Sequence, residues 1–398
     1  MTKAIVIGGG VVGALSAYYL AQNGLNVTLL EKNKSLGLEA SAANANQLSY
    51  SHIFPPVSPS MLPKLPGILM GGDATLKIRA LRDPRFWSWA LRAAPYLLSA
   101  SLYRKTSDEI KALHTESRSL MAGFVAKHDI PFSFQPAGRM MLFDSVEEAE
   151  GAYQNFTNHG LGAYARKLTR AEALEQEPGL AHSKPFAAAV FTQQDETGDC
   201  EAFVRGLESV LKEMGVRIRT GTYTTRLIRK SSRIEGVELQ TGKVLEADII
   251  VLTNGARAPE LLKTAGLNAP IYPVKGYTYE IPMKKPLFKA SIVDVGRKMV
   301  LTPLDHSLKV SNGMLFQPMG RADDAKFLEQ LKSAAASIYP DINFSKAILR
   351  SGYRPWTPSS LPIVARKLDN LYVNIGHGML GWTMAQATAF RLARLVKP

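Results

Sequence analysis

The sequence predicts an α/β protein: a Rossmann-like, mixed-sheet domain to which the chain returns late, with a second, α+β part built on an antiparallel sheet. Three observations predict it. AIVIGGGVVGALS opens the chain as strand, glycine turn and helix, and NVTLL then gives a second buried strand ending on Glu31. Much later, KVLEADIIVLTNGA reads as another buried strand that returns to the first sheet. Beyond it, PIYPVKGYTYEIP through SLKVSNGML alternates as several strands separated by turn signals, the pattern of an antiparallel sheet under a ligand site.

A length of 398 residues is too great for one ordinary core, so two domains are expected. With 46% hydrophobic and 21% charged residues the composition is globular. The single cysteine, Cys200, excludes an intrachain disulfide and a cysteine metal cluster and points to a reducing compartment, and no metal is expected. A net charge of +14 favours anionic partners. The basic residues are scattered, without the aromatic-basic pattern of RNA binders, so nucleic acid is not an expected partner.

The first strand begins within a few residues of Met1 with no signal-peptide pattern ahead of it, and a cytoplasmic protein is expected. No run approaches the roughly 20 apolar residues of a membrane span. Any membrane contact would be peripheral.

In the opening motif, Gly8, Gly10 and Gly13 allow a tight turn, close approach of backbone to a pyrophosphate and close helix packing, with Val11 and Val12 in the first helical turn. The helix ALSAYYLAQN stops at Gly24, and Glu31 is placed to accept hydrogen bonds from an adenosine ribose. The motif alone leaves NAD and FAD open.

Small and amide side chains follow in EASAANANQL, as suits a segment lying against a large polar ligand; an ordinary helix cap is the alternative. Residues 54 to 103 mix prolines, aromatic bulk and a basic rim that includes Arg85, Arg92, Arg104 and Lys105. That mixture suits an interfacial helix, and equally a lid or a core helix of the second domain. From 106 to 185 the pattern is helical, interrupted by the short strands PFSFQ and GRMMLF, and TTRLIRKSSRIEGVELQTG reads as a hairpin. NIGHGMLGWTM, after the strand-like NLYVNI, is a second glycine turn from strand into helix.

ASAANANQLS, QDETGDC, YPVKGY, SGYRPWTPSSLPIV and NIGHGMLGWTM, in this order, resemble the bacterial respiratory D-amino acid dehydrogenases, flavoproteins of the D-amino acid oxidase superfamily. The resemblance runs from Met1 to about residue 390. It implies FAD bound by segments 1–55, 190–272 and 350–398, with a substrate domain from 56–189 and 273–349 roofing the flavin. It also implies oxidation of a D-amino acid by hydride transfer from Cα to flavin N5, with electrons leaving for a quinone or an artificial dye at the inner face of the cell membrane.

Carried onto this chain, the resemblance places Gly8, Gly10 and Gly13 at the pyrophosphate, Glu31 at the ribose and Lys32 on the adenine side. Ser41, Asn44, Asn46, Gln47 and Leu48 would run past the ribityl chain to the flavin ring. Thr224 stands where the family usually has valine at the adenine, and Thr253, Asn254 and Gly255 complete that wall. Gly376, His377, Gly378, Met379, Leu380, Gly381, Trp382 and Thr383 would approach the pyrimidine end of the ring, with a helix dipole directed at the charge that builds there on reduction. The two glycine turns would then serve two ends of one cofactor.

A substrate carboxylate beside a flavin must be fixed, and a bidentate arginine is the usual means. Arg354 matches the family's carboxylate arginine. Tyr277 and Tyr353 would donate to the carboxylate or close over it, or else serve as core tyrosines; Lys275 would add positive potential. Tyr50 and His52 fall where related enzymes place active-site polar groups. His377 is expected to orient main chain or tune the flavin rather than remove a proton, and no dedicated base is expected. The chain departs from the family at Ala385-Gln386-Ala387-Thr388 and at SNGMLF, which bears on substrate preference. Two further readings stay open: an oxidase of the same superfamily acting on glycine, sarcosine, D-proline or hydroxy-D-proline, and a flavin-binding subunit without turnover.

Overall fold

The computed structural model describes all residues except 71, 74, 324, 341, 397 and 398. Lys3–Ile7 is an inner strand of a six-stranded sheet ordered Ile363–Arg366, Leu371–Ile375, Ile249–Leu252, Lys3–Ile7, Asn26–Leu30, Arg217–Arg219. Its neighbours Asn26–Leu30 and Ile249–Leu252 run parallel to it, while Ile363–Arg366 is antiparallel to Leu371–Ile375. Strands covered on both faces need continuous apolar runs, which is why AIVI and IIVL lack alternation.

On one face the helix Val11–Gln22 packs with Gly381–Leu395 and Cys200–Glu213, through a core containing Leu15, Leu20, Phe203, Trp382 and Ala389. The two ends of the chain are joined by a buried hydrogen bond, Tyr19 Oη donating to Gln386 Oε1 at 2.6 Å. The hairpin Thr224–Lys230 and Arg233–Leu239 covers the other face, setting Leu227, Ile234 and Val237 against Ile5, Ile250 and Leu252.

A nine-stranded sheet forms the second layer, in the order Ile348–Trp356, Tyr272–Pro282, Ser307–Phe316, Met299–Pro303, Ser291–Asp294, Arg139–Phe143, Ala188–Thr192, Ala165–Thr169, with Leu76–Ile78 beside Ser307–Phe316. It is mostly antiparallel. Two pairs are parallel, Ser291–Asp294 with Arg139–Phe143 and Ser307–Phe316 with Leu76–Ile78, and in both the partners are joined by long excursions rather than hairpins. Ala188–Thr192 and Ile348–Trp356 belong to this sheet, so the chain crosses between layers after each of them. PFSFQ forms no strand of its own; within it Gln135 makes a single bridge to Thr197.

Residues 43–47 run across the second sheet rather than along it. Thr278 Oγ1 donates to Ala43 O at 2.8 Å, Thr302 Oγ1 to Ala45 O at 2.6 Å, and Gln47 Nε2 to Ser291 Oγ at 2.8 Å. Three strands thereby hold one segment against the roof.

Within 54 to 103, the helix Pro84–Leu98 is capped by Asp83, which accepts from Arg85 N at 3.0 Å. Its inner face sets Phe86, Trp89 and Ala93 against Tyr272, Phe316 and Trp356. Its outer face leaves Trp87 49%, Leu91 73% and Leu98 72% exposed. Among the described residues no helix is long and apolar enough to cross a membrane.

Candidate active site

A cavity of about 780 Å³ lies between the two sheets and is lined from both. One end is the opening glycine turn. Gly8 has φ +109°, and a Cβ there would stand 2.7 Å from Asn254 Cα; a Cβ on Gly13 would stand 1.8 Å from Gly8 O. Backbone packing therefore demands glycine at both positions. The helix Val11–Gln22 has no side-chain cap at Gly10, and Ser41 Oγ accepts from Val11 N at 3.0 Å. Val12 lines this end as well.

Glu31 lines the same end and is already engaged, accepting from Gly9 N at 2.7 Å and from Asn33 N and Nδ2 at 2.8 Å each. Lys32 pairs with Glu39 beside it. Thr224 Oγ1 and Asn254 Oδ1 are buried without a hydrogen-bond partner, and both side chains line the cavity along with Thr253 and Gly255.

The other end is the second glycine turn. Gly376 and Gly378 have φ +85° and +56°, and the chain turns through Gly378–Leu380 into the helix Gly381–Leu395, which again has no side-chain cap. His377, Gly378, Met379, Leu380, Gly381, Trp382 and Thr383 line the cavity. Gly376 does not; a Cβ there would meet Thr357 Cγ2 at 2.5 Å. His377 Nε2 lies 3.0 Å from Thr388 Oγ1, and burial pushes its pKa down to about 3. Between the ends, Ser41, Asn44 and Gln47 line the wall. Asn46 and Leu48 turn away, Asn46 Oδ1 accepting from Cys200 N at 3.3 Å and Leu48 entering the core.

Two uncapped helix N-termini, each backed by glycine, thus face one cavity. Such ends bind negative charge, so a pyrophosphate at the first turn and the reducible ring of FAD at the second fit the residues present.

Arg354 lines the cavity, and its guanidinium lies against Gly276, whose added Cβ would stand 2.5 Å from Arg354 Cζ. Its one hydrogen bond among the described residues is Nη1 to Gly313 O at 3.3 Å, and no described carboxylate pairs with it. Burial lowers its pKa to about 10. A half-buried cation with free donors, lining a cavity, suits an anion.

Lys275, Tyr277 and Tyr353 lie on the opposite face of the sheet from Arg354, because Lys275 pairs with Tyr353 while Arg354 pairs with Val274, and successive side chains alternate. Lys275 Nζ bonds Asp323 Oδ1 and Oδ2 at 2.7 and 2.9 Å, and Tyr277 Oη donates to Asp323 Oδ1 at 2.5 Å. Tyr353 Oη accepts from Gly320 N at 3.3 Å. Lys275 and Tyr353 border the cavity; Tyr277 is fully buried and does not. His52 lines the cavity, its pKa pushed down to about 3 by burial and by the charge of Arg139. Tyr50 is buried outside it, its carbonyl accepting from His114 Nδ1 at 3.0 Å.

Sequence reasoning missed Ser49, Gly276, Asp323, Arg139 and Asp195. Ser49 N donates to Thr383 Oγ1 at 3.0 Å, tying the wall to the second turn. Ser49, Gly276 and Asp195 sit within ASAANANQLS, YPVKGY and QDETGDC, which carried the resemblance, but nothing local singled them out; Arg139 within GRMMLF and Asp323 offered no signal.

Comparison with known proteins agrees with this geometry. The profile of the FAD dependent oxidoreductase family, DAO, matches residues 3–395. The D-amino acid dehydrogenase of Vibrio vulnificus strain YJ016 is 29% identical over 402 residues, covering 99% of this chain and 95% of that protein. The D-amino acid dehydrogenase of Methylobacterium sp. strain 4-46 is 32% identical over 411 residues, covering 99% and 95%. The crystal structure of glycine oxidase from Bacillus cereus shares the fold with a TM-score of 0.74 at 19% identity, covering 99% of this chain and 94% of that one. This chain belongs to the DAO family of FAD dependent oxidoreductases.

Proposed function

We propose that this FAD-dependent enzyme oxidises D-amino acids to imino acids, which hydrolyse to 2-oxo acids and ammonia, and passes the electrons to a quinone. The observation that carries this reading is Arg354, a half-buried cation without a carboxylate partner among the described residues, in the cavity that both glycine turns line. The relatives named as D-amino acid dehydrogenases support the choice of substrate hand.

The bound flavin supplies the two-electron acceptor for the Cα–H bond. Arg354 holds the substrate carboxylate; an arriving anion compensates the burial that weakens its protonated form. Gly276 leaves room for that guanidinium to lie flat on the sheet. Gly8, Gly10 and the amides of the first helical turn hold the pyrophosphate, and Gly378 to Thr383 hold the ring. His52 and His377 are uncharged at neutral pH and so present polar walls without competing for the carboxylate.

The outer face of Pro84–Leu98, with Trp87, Leu91 and Leu98 beside Arg82, Arg85 and Arg92, suits docking on an anionic membrane surface, where a quinone would be met. The test is a panel of D- and L-amino acids, glycine, sarcosine and D-proline assayed with a dye acceptor and, separately, for peroxide. Dye reduction with D-amino acids and little peroxide supports the reading. Peroxide from glycine or a cyclic imino acid replaces it with an oxidase, and no turnover of any amine replaces it with a flavin-binding subunit.

A further inference from the structure

Asp195, in the QDETGDC stretch, takes no part in the chemistry described above, yet it anchors a buried ion pair at the cavity wall. It is 1% exposed and Arg139 3%. Its carboxylate accepts from Ser51 N at 2.8 Å, from Ser51 Oγ and from Thr192 Oγ1 at 2.7 Å, and lies 3.1 Å from Arg139 Nε. Arg139 Nη2 donates to Ser51 Oγ at 2.9 Å.

The two partners are not equally satisfied. Asp195 has a donor on both oxygens. Arg139 carries five N–H donors: its Nε is buried beside Asp195 without a hydrogen-bond partner, and its Nη1, on a side chain that lines the cavity, bonds no described residue. Burying an ion pair is tolerable only when the remaining donors and acceptors are met, so the free end of this guanidinium is unfinished without a ligand.

Position narrows the ligand. Arg139 is five strands away from the strand of Arg354 across the roof, roughly 24 Å at the spacing of neighbouring strands. Their backbones are therefore well separated along the roof, and the two guanidinia need not serve the same group. Arg139 also belongs to the second-turn end of the cavity. It bonds Ser51, in the wall where Ser49 is tied to Thr383, and its register partner Ser291 accepts from Gln47.

We propose that Arg139, oriented by Asp195, is a cofactor-binding residue that donates through Nη1 to a hydrogen-bond acceptor on the flavin ring and so favours added negative charge there. The inference rests on FAD being the cofactor and is independent of which amine is oxidised.

Sulfite, which adds reversibly to oxidised flavin and leaves the ring negatively charged, tests it without turnover. FAD-loaded wild type, Arg139→Met, Asp195→Asn and the double variant Arg139→Met/Asp195→Asn are titrated with sulfite by flavin absorbance. Arg139→Met and the double variant are expected to bind sulfite roughly tenfold or more weakly, with Arg139→Lys recovering part of the loss. Wild-type affinity in the double variant would mean that Arg139 only neutralises Asp195, and overturns the proposal. So does an unchanged Arg139→Met. Where the charge-removing variants fail to fold or to hold FAD, Arg139→Lys carries the test: it must bind sulfite more weakly than wild type, and wild-type affinity there also overturns it. Failure of the amine panel with these sulfite results intact would leave this assignment standing.

Discussion

A Cβ on Gly276 would stand 2.5 Å from Arg354 Cζ, so the guanidinium rests directly on bare backbone. Both residues belong to neighbouring strands of the roof. The glycine sets where the arginine can lie. Gly276→Ala is expected to displace Arg354 and raise KM about 10- to 100-fold while flavin absorbance per protein stays at the wild-type value, as a misplacement of about 1 Å costs that much in a positioned site. Steady-state kinetics beside the flavin spectrum check it, and an unchanged KM would show that the contact is dispensable.

Arg354→Ala removes the cation altogether. Truncating one partner of a buried, hydrogen-bonded charge pair costs roughly 2–5 kcal/mol, or about 30- to 5,000-fold in kcat/KM. Arg354→Lys should recover only part, because an ammonium cannot reproduce the planar fork. Flavin content of both variants should match wild type.

The pH dependence of carboxylate binding isolates the same group. Burial lowers the pKa of Arg354 to about 10, so it is cationic below that pH and neutral above it. Affinity for a competitive carboxylate without an amino group should be constant through neutral pH and decline as pH rises through about 10. Titration of the flavin spectrum with that inhibitor measures it; constant affinity to pH 11 would show that the guanidinium keeps its proton in this site.

His52 and His377 govern the acid side. Their folded pKa values are pushed down to about 3 from 6.5, so between those values the unfolded chain binds more protons. Stability therefore rises with pH across that window and is lost as pH falls from 6.5 toward 3. His377→Asn should flatten the acid limb of denaturant midpoint against pH. A limb as steep as that of the wild type would mean that the ring takes up its proton without cost.

Gly13→Ala places a Cβ 1.8 Å from Gly8 O. Overpacking of this kind costs about 1–3 kcal/mol, and it displaces the turn that would hold the pyrophosphate. The variant should unfold at lower denaturant and purify with little flavin. Normal flavin content would show that the first turn tolerates the shift.

Trp87→Ser with Leu91→Ser tests docking. Both side chains are exposed and leave the inner contacts of Phe86 and Trp89 intact. Co-sedimentation with anionic vesicles should drop at least several-fold while activity with a soluble dye is unchanged; equal and negligible sedimentation of wild type and variant would remove the membrane from the account.

What could be read in the residue order was local. Gly8, Gly10 and Gly13 work within a single strand–turn–helix unit, where spacing along the chain is spacing in space, and the turn at Gly376 to Gly381 is legible for the same reason. Runs such as IIVL and the alternation of YPVKGYTYEIP carry their burial pattern in their own composition. Tertiary structure decided the rest, because those features depend on residues distant in sequence. Which face of the roof Lys275, Tyr277 and Tyr353 occupy follows from strand register and from Asp323 in a later loop. The parallel pairing of Arg139–Phe143 with Ser291–Asp294, and the meeting of Arg139 with Asp195 and Ser51, arise only when chain segments far apart are packed in one sheet and a buried charge must find its partner there. Local conformational preference is written in neighbouring residues, whereas the environment of a buried charge is set by whatever the fold brings beside it.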